Sequence, residues 1–370
     1  MENNITKVNN LGQSIWYDNI SKKMILSGEL ESLINKGVSG LTSNPTIFFK
    51  AITGSTDYDK QLNELALQTS DTETIYEYLV IEDIRSVADL LKSTYEKTNG
   101  ADGYVSLEVN PNLANETDKT VEEAKRLFET VNRKNLMIKV PATPAGIPAI
   151  RSLIGKGINV NVTLIFSLQA YSDVRQAYLL GLNDFETIGG DLSSVASVAS
   201  FFVSRVDTLV DKKLSEIDTI SSTGINDLFG KAAIANAQLA YKAFKNDFYS
   251  AKFTELKRKK ARVQRPLWAS TGTKNSEYSD VLYPDSLIGN DTVNTMPDAT
   301  LESFLDHGNV TDSLVGDENQ FEKYFDQLNS YNIRIEDITR ELLDDGVKQF
   351  VDSYNELIIA IEKKCLQITK

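Results

Sequence analysis

The chain has 370 residues, 41% of them hydrophobic and 25% charged, which is the composition of a soluble globular protein with enough apolar material for a core. Its formal net charge of −13 at pH 7 opposes a general affinity for nucleic acid or for an anionic membrane surface. No stretch approaches the roughly 18 consecutive apolar residues of a membrane span, and the N-terminus lacks the apolar core of a signal peptide. We therefore expect a cytoplasmic protein that binds neither nucleic acid nor membrane.

Histidine and cysteine are too scarce to form the usual metal or nucleophile sites. The single histidine, His307, lies in a loop-like Asp-His-Gly-Asn run, and we predict a surface loop residue there. The single cysteine, Cys365, lies in an amphipathic C-terminal segment, where packing is its expected role. The basic run at 257–260 has no interleaved aromatic residues, which indicates a solvated helix end. We predict neither a metal nor another cofactor.

Eight short segments have the length and residue types of strands, and helical segments separate most of them. We predict strands at residues 14–18, 40–45, 104–110, 135–143, 159–166, 200–206, 265–271 and 292–296. We predict helices at residues 24–36, 75–97, 117–132, 144–155, 168–180, 230–249 and 253–260, with a long closing helix from 335 onward. The Gly- and Asp-rich segment 181–193 is predicted to be an insertion or a long loop.

This alternation predicts an α/β fold, because strands separated by helices pair in parallel through right-handed crossovers. Eight such strands close a (β/α)8 TIM barrel. We therefore predict one barrel domain over residues 1–370, with additional C-terminal helices that make 301–370 a mainly helical extension. The alternative is an open doubly wound sheet, but the Gly-rich strand-to-helix turn typical of that fold is missing from the sequence.

The fourth predicted strand carries a lysine within an apolar run. Alternation along the strand places Leu136, Ile138 and Val140 on one face and Lys139 on the other. A buried amine is biased towards its neutral form, which can attack a carbonyl and form an iminium. The simpler interpretation is a lysine at an exposed strand edge, and the other strands argue against it.

Polar residues occupy one face of several other predicted strands. They are Asp18, Thr42 with Asn44, Ser106 with Glu108 and Asn110, Asn159 with Asn161 and Thr163, Ser270, and Asn294. Helices cover the outside of a parallel barrel, so these polar faces are expected to converge inside it, around Lys139. A bound polyhydroxylated carbonyl compound would explain them, with Lys139 as nucleophile and Glu108 or Asp18 transferring protons. Thr163 and Asn161 would position water and substrate hydroxyls.

These same stretches resemble the motifs of the transaldolase family, in particular its longer-chain branch. They are residues 16–18 (Trp-Tyr-Asp), 40–48 (Gly-Leu-Thr-Ser-Asn-Pro-Thr-Ile-Phe), 106–109 (Ser-Leu-Glu-Val), 138–143 (Ile-Lys-Val-Pro-Ala-Thr), 158–164 (Ile-Asn-Val-Asn-Val-Thr-Leu) and 268–275 (Trp-Ala-Ser-Thr-Gly-Thr-Lys-Asn). The resemblance implies a class I aldolase barrel of the pentose phosphate pathway. Such an enzyme transfers a dihydroxyacetone unit from a ketose phosphate to an aldose phosphate through a lysine Schiff base. The ketose phosphates are sedoheptulose 7-phosphate and fructose 6-phosphate, and the aldose phosphates are glyceraldehyde 3-phosphate and erythrose 4-phosphate.

The resemblance also implies residue roles. Lys139 would form the iminium, Asp18 would handle the proton on the C4 hydroxyl, and Glu108 with Thr163 would transfer protons through a water. Substrate contacts would come from Asn44, Asn161 and Ser200, and the phosphate site from Arg205, Ser270 and Lys274. The alternative for the phosphate site is that Arg205 pairs structurally with Asp207 or another acid and that Lys274 is solvated.

Two other functions stay open at this point, and so does a homo-oligomeric assembly. One is a related fructose-6-phosphate aldolase that releases free dihydroxyacetone. The other is a sugar-phosphate-binding barrel without activity, although a mere binding protein needs no ammonium buried beside two carboxylates.

Overall fold

Eight parallel strands form a closed barrel in chain order, with the last strand paired to the first. This computed structural model describes residues 2–217 and 224–368. The strands are β1 Gln13–Tyr17, β2 Gly40–Leu41, β3 Val105–Glu108, β4 Leu136–Pro141, β5 Val160–Ile165, β6 Ser197–Phe202, β7 Arg265–Ala269 and β8 Thr292–Met296. The predicted (β/α)8 barrel with C-terminal helices is confirmed.

Helices surround this barrel and follow each strand. They are α1 Asn4–Asn10, α2 Lys22–Ser27, α3 Glu29–Asn35, α4 Pro45–Thr53, α5 Asp59–Ala66, α6 Thr72–Lys97, α7 Thr117–Val131, α8 Gly146–Ile154, α9 Leu168–Thr187, α10 Ser204–Ser215, α11 Ala232–Phe248, α12 Ala251–Arg258, α13 Leu282–Ser286, α14 Asp298–His307, α15 Glu318–Ser330 and α16 Ile335–Ile368. None of the helices within residues 2–217 and 224–368 combines the length and the apolar character that a bilayer crossing requires.

The apolar face of β4 packs into the layer between strands and helices, as its alternation predicts. Leu136, Ile138 and Val140 are completely buried, and so are Val160 and Val162 on the neighbouring β5. Full burial of an aliphatic side chain of this size stabilises a fold by about 1.5–3 kcal/mol. This layer therefore fixes which face of each strand points into the barrel.

The segment 181–193 is not the long loop that we predicted, because α9 continues through it to Thr187. Gly181 lies inside the helix, and a Cβ atom there would come within 2.7 Å of the Ile154 side chain of α8. The glycine permits a close helix-helix approach instead of forming a turn. After a short connection, Asp191 caps a 3-10 turn, Leu192–Ser194.

Two further boundaries differ from the sequence predictions. The predicted helix 24–36 is two helices, because Gly28 between them adopts a left-handed conformation with φ of 79°. His307 is exposed as predicted, but it ends α14 instead of lying in a loop, and its ring nitrogens contact Asp280 and Asp306.

The C-terminal region is mainly helical, as predicted, although residues 369–370 lie outside the described part of the chain. Its longest helix, α16, has 34 residues and packs against α4, α5, α6 and α10 over the carboxyl end of the barrel. Lys364 anchors its far end through bonds to the carbonyl oxygens of Ile52 (2.8 Å) and Ser55 (2.6 Å) and to Asp59 (2.7 Å). This helix therefore covers the end of the barrel at which active sites of this fold form.

Candidate active site

Three polar residues stand side by side on neighbouring strands inside the barrel. The strand register pairs Glu108 of β3 with Lys139 of β4, and Lys139 with Asn161 of β5. Side chains in register on adjacent parallel strands project from the same face of the sheet. The convergence that the alternation predicts therefore places Glu108 beside Lys139.

Lys139 is buried, with only 6% of its surface exposed. Its Nζ atom donates a hydrogen bond to the backbone carbonyl of Ser43 (2.9 Å) and lies 3.4 Å from Glu108 Oε2. The ring of Phe350, from α16, lies with its centroid 5.7 Å from the same nitrogen. The exposed-edge interpretation of Lys139 is wrong, because this amine lies in an enclosed and partly apolar setting.

A cavity of about 190 Å³ opens above Lys139 at the carboxyl ends of the strands. Its lining includes eight of the ten predicted site residues, namely Asp18, Asn44, Lys139, Thr163, Ser200, Arg205, Ser270 and Lys274. The other two, Glu108 and Asn161, are not among the lining residues.

Asp18 follows β1 directly and is held by a hydroxyl group from the next strand connection. Thr42 Oγ1 donates to Asp18 Oδ1 at 2.6 Å and lies 2.7 Å from Thr295 Oγ1 of β8. Burial raises the pKa of Asp18 above its ordinary value, while the Thr42 hydrogen bond and the charges of Lys139 and Lys274 oppose the rise. A carboxyl group with a raised pKa is suited to take up and return a proton near neutral pH.

Glu108 is the second carboxyl group next to Lys139, and its side chain is 6% exposed. Burial raises its pKa, and the neighbouring charge of Lys139 works against that rise. Glu108 is instead among the residues that line a separate cavity, described below, to whose lining Asn44 also belongs.

Asn161 is completely buried and lies behind Ser200, one of the lining residues. Its amide nitrogen donates to Ser106 Oγ (2.9 Å), and its amide oxygen accepts from Ser200 Oγ (2.7 Å). The hydroxyl oxygen of Thr163, one pleat further along β5, is buried without a hydrogen-bond partner among the described residues. Asn161 therefore holds Ser200 in place, whereas Thr163 keeps a free hydroxyl beside Lys139.

Asn44 links the site to the helix that follows β2. It is the N-cap of α4, and its side chain accepts a hydrogen bond from the backbone N–H of Ile47 at 3.0 Å. The predicted second strand, 40–45, is thus too long, because β2 ends at Leu41 and the Asn-Pro pair starts a helix.

The three predicted phosphate-site residues all line the cavity. Arg205 is not at the end of the sixth strand, as we predicted, but is the second residue of α10. The sixth strand, β6, starts and ends earlier than the predicted 200–206, because Val206, Val210 and Leu214 form a buried helical stripe. Ser270 meets the start of the same helix, since Ser204 N donates to its carbonyl oxygen at 3.0 Å.

Arg205 is half-buried and does not pair with Asp207. Its Nη1 atom donates to Gln349 Oε1 of α16 at 3.1 Å, and its guanidinium lies 5.4 Å from the centroid of the Phe202 ring. Asp207 instead accepts hydrogen bonds from Ala233 N (2.7 Å) and the Tyr283 hydroxyl (2.9 Å). The pairing of Arg205 with Asp207 is therefore wrong, and Arg205 is among the residues that line the cavity. Lys274 is exposed, as the structural alternative expects.

Two backbone positions next to the cavity adopt the left-handed region without being glycine. Ser270 has φ of 57°, and Leu164, directly after Thr163, has φ of 58° at an irregularity in the pairing of β5 with β6. Such conformations cost on the order of 1–3 kcal/mol and cluster at functional sites. They turn the strand ends at Thr163 and Ser270 towards the cavity.

Sequence reasoning missed several residues of this site. Thr42 stood on the predicted polar face, so its position was a usable signal, but we assigned it no role. Phe202, Phe350 and Gln349 carried no such signal, because apolar or amide side chains on amphipathic elements are ordinarily structural. Within the described residues, the His, Cys, Asp and Glu side chains form no group of three or more that could hold a metal ion.

A buried lysine flanked by two carboxyl groups at the carboxyl end of a (β/α)8 barrel is the arrangement of an enzyme that forms a Schiff base with a carbonyl substrate. Residues 15–361 match the family described as Transaldolase/Fructose-6-phosphate aldolase. The chain is 46% identical over 361 residues to a transaldolase of Mycolicibacterium smegmatis, covering 97% of this chain and 96% of the relative. It is 47% identical over 356 residues to a transaldolase of Thermobifida fusca, with 96% of each chain covered.

A third relative, a transaldolase of Trichodesmium erythraeum, is 42% identical over 375 residues, with 99% of each chain covered. Similarity at this level over nearly the full length of each chain shows common membership. The chain belongs to the transaldolase/fructose-6-phosphate aldolase family.

Proposed function

We propose that this chain is a transaldolase that transfers a dihydroxyacetone unit from a ketose phosphate to an aldose phosphate through an iminium on Lys139. The observation that carries the proposal is the Lys139 amine, buried and 3.4 Å from the Glu108 carboxylate at the bottom of a polar cavity. The donors would be fructose 6-phosphate and sedoheptulose 7-phosphate, and the acceptors erythrose 4-phosphate and glyceraldehyde 3-phosphate.

Iminium formation is the first step that these residues support. The Lys139 amine attacks the ketone carbon of the donor, and the ketone oxygen leaves as water. When Lys139 starts as the ammonium, its nitrogen loses two hydrogens, and these become the two hydrogens of the released water. Glu108, 3.4 Å from the amine, would carry them, and the Thr163 hydroxyl, which has no partner among the described residues, would hold the intervening water.

Carbon-carbon cleavage is the second step, and we assign it to Asp18. Asp18 takes the proton of the C4 hydroxyl while the C3–C4 bond breaks and its electrons move into the iminium, which becomes an enamine. The aldose leaves, an acceptor aldose enters, and the same steps run in reverse. The iminium serves as the electron sink, so the chemistry itself calls for no metal.

Phosphate recognition is assigned to Arg205, Ser270, Lys274 and the N-terminus of α10. Helix N-termini favour anions through their free N–H groups and dipole, and α10 has 12 residues. Arg205 adds a planar fork suited to phosphate oxygens. These positive groups explain how a chain of net charge −13 can bind anionic sugars.

The other two functions are less well supported. A protein that only binds sugar phosphates has no use for two carboxyl groups of raised pKa beside a buried amine. Aldol cleavage with release of dihydroxyacetone uses the same residues, but the relatives described above are named transaldolases. A single-domain organisation and a cytoplasmic location stay predictions.

A coupled assay tests the proposal. The protein is supplied with fructose 6-phosphate and erythrose 4-phosphate, and glyceraldehyde 3-phosphate is measured in parallel with free dihydroxyacetone. We expect glyceraldehyde 3-phosphate to form only in the presence of the acceptor. Equal formation with and without erythrose 4-phosphate, together with free dihydroxyacetone, would show a simple aldolase.

A further inference from the structure

A second cavity, of about 380 Å³, lies next to the substrate cavity and has no part in the mechanism above. It extends from the exposed residues Asp71, Glu73 and Arg126 at the surface to Glu108, whose side chain is 6% exposed. We propose that this second cavity is the route by which Glu108 exchanges water with solvent while a sugar phosphate fills the substrate cavity. The inference rests on the proposed function.

Glu108 is the observation that connects the second cavity with the chemistry. Glu108 is among the residues that line this cavity and is not among those that line the substrate cavity. Its Oε2 atom lies 3.4 Å from Lys139 Nζ, yet that oxygen accepts no hydrogen bond from the residues that the structure describes. A buried carboxylate oxygen without a protein donor is a site at which water is favoured.

The two cavities share lining elements, and some of these are aromatic. Asn44 lines both of them. On α16, Phe350 lines the substrate cavity and Tyr354, one turn later, lines the second cavity. Tyr354 is fixed by a hydrogen bond from Asn110 (3.3 Å) and by an edge-on contact with the ring of Tyr76 at 5.7 Å. The helix that covers the substrate cavity thus also forms one side of the second cavity.

The charges around the two cavities have opposite signs. Five acidic residues line the second cavity, namely Asp71, Glu73, Glu77, Glu108 and Glu123, against the one guanidinium of Arg126. The Arg126 guanidinium donates hydrogen bonds to both Glu77 (2.6 Å) and Glu123 (2.9 Å). An anionic sugar is repelled from this opening and attracted to the cations of the substrate cavity, whereas water passes without a charge penalty.

The reaction needs such a path twice in each cycle. One water must leave when the donor ketone becomes an iminium, and one must return when the product iminium is hydrolysed. At both times the sugar phosphate, bound at Arg205 and Lys274, lies between Lys139 and the opening of the substrate cavity. A path behind Glu108 lets this water move without release of the sugar.

Leu113 provides a test, because it lines the second cavity, is half-buried, and has no role in the proposed mechanism. Leu113→Trp should narrow the path, and Leu113→Ala is the matched control that widens it. The measurement is the enzyme-catalysed exchange of ¹⁸O from labelled water into the ketone, corrected for the enzyme-free rate. Fructose 6-phosphate and dihydroxyacetone are compared, since the short, uncharged ketone leaves the substrate cavity open to solvent.

We expect Leu113→Trp to slow exchange into fructose 6-phosphate by about 10-fold or more, with less than about a 2-fold change for dihydroxyacetone and none for Leu113→Ala. Equal slowing for both ketones, or no slowing in a folded variant, would overturn the inference. If Leu113→Trp does not fold, Thr74→Trp at the half-buried edge of the same cavity provides the same comparison. Absence of any borohydride-trapped adduct in the unmodified protein would refute the proposed function itself.

Discussion

Glu108 Oε2 and Lys139 Nζ lie 3.4 Å apart on adjacent strands, in register with each other. The Lys139 ammonium can lose a proton and the Glu108 carboxylate can accept it, in an environment that excludes bulk water. Asp18, across the cavity, is held separately by Thr42. Glu108 and Asp18 are thus held by different neighbours, which is consistent with a separate proton-transfer role for each carboxyl group.

The first prediction follows from this separation. Asp18→Asn should still form an iminium with fructose 6-phosphate but should cleave it slowly, because no base takes the C4 hydroxyl proton. Glu108→Gln should instead form the iminium slowly, by about 10²-fold or more, the usual scale of general acid-base catalysis. Single-turnover trapping with borohydride, followed by mass spectrometry of the adduct, distinguishes intact ketose from the three-carbon unit. Identical adduct kinetics in the two variants would contradict the assignment.

The sequence predicted which strand faces are polar, and the structure shows why this was enough to place Lys139. Period-2 alternation in the fourth and fifth strands determines the direction of each side chain, and a closed parallel barrel has one interior. Register is different, because it depends on pairing between distant segments. The pairing of Glu108 with Lys139 across β3 and β4 therefore follows from the structure and not from the sequence.

Two other features could not be obtained from local patterns. The amphipathic pattern of α16 shows that one face is buried, but not that Phe350 and Gln349 meet the substrate cavity and Arg205. In the sequence Gly181 looks like a turn glycine, but a glycine is needed there because Ile154 of another helix approaches closely. Both features are set by tertiary packing, which single-sequence periodicity does not contain.

The second prediction concerns Arg205. Arg205→Ala removes a charge-assisted contact of about 1.5–3 kcal/mol, so kcat/KM for fructose 6-phosphate should fall by about 10- to 150-fold. Activity on dihydroxyacetone should change far less, because it has no phosphate to contact the arginine. The comparison of the two donors is the measurement, and Arg151→Ala, an exposed arginine paired with Asp184, is the control. An equal loss on both donors would mean that Arg205 has a structural role.

The third prediction concerns how the two sides of the phosphate site are held together. The Tyr278 hydroxyl donates to Asp211 at 2.8 Å, which ties the segment carrying Lys274 to helix α10, which carries Arg205. Tyr278→Phe loses one hydrogen bond, so KM for phosphorylated donors should rise by about 3- to 10-fold at nearly constant kcat.

Tyr78→Phe, at a tyrosine that is 59% exposed on α6, is the matched control for Tyr278→Phe and should leave KM unchanged. A uniform fall in kcat in Tyr278→Phe, for phosphorylated and unphosphorylated donors alike, would show a general loosening instead of an effect on the phosphate site.

The fourth prediction is a pH dependence of stability caused by Asp207, which is 1% exposed. Burial raises its pKa from 3.8 to about 7. Below about pH 4 the group is protonated in both the folded and the unfolded chain. Between about pH 4 and 7 the unfolded chain loses this proton while the folded chain keeps it, so the contribution to the free energy of unfolding falls by up to about 1.4 kcal/mol per pH unit.

Asp207→Asn should remove that part of the pH dependence, measured by urea unfolding at several pH values. Asp57→Asn, at an exposed aspartate, is the control and should follow the unmodified protein. Parallel curves for Asp207→Asn and the unmodified chain would refute the assignment of the dependence to Asp207.

The most direct measurement is to trap the covalent intermediate on Lys139. Borohydride is added while the protein turns over fructose 6-phosphate, and the labelled residue is located by mass spectrometry of peptides. We predict a reduced adduct, chiefly the three-carbon unit, on Lys139. Lys139→Arg should show no adduct and no activity, because a guanidinium does not supply a neutral amine. An adduct on another lysine, or turnover without any adduct, would contradict the account.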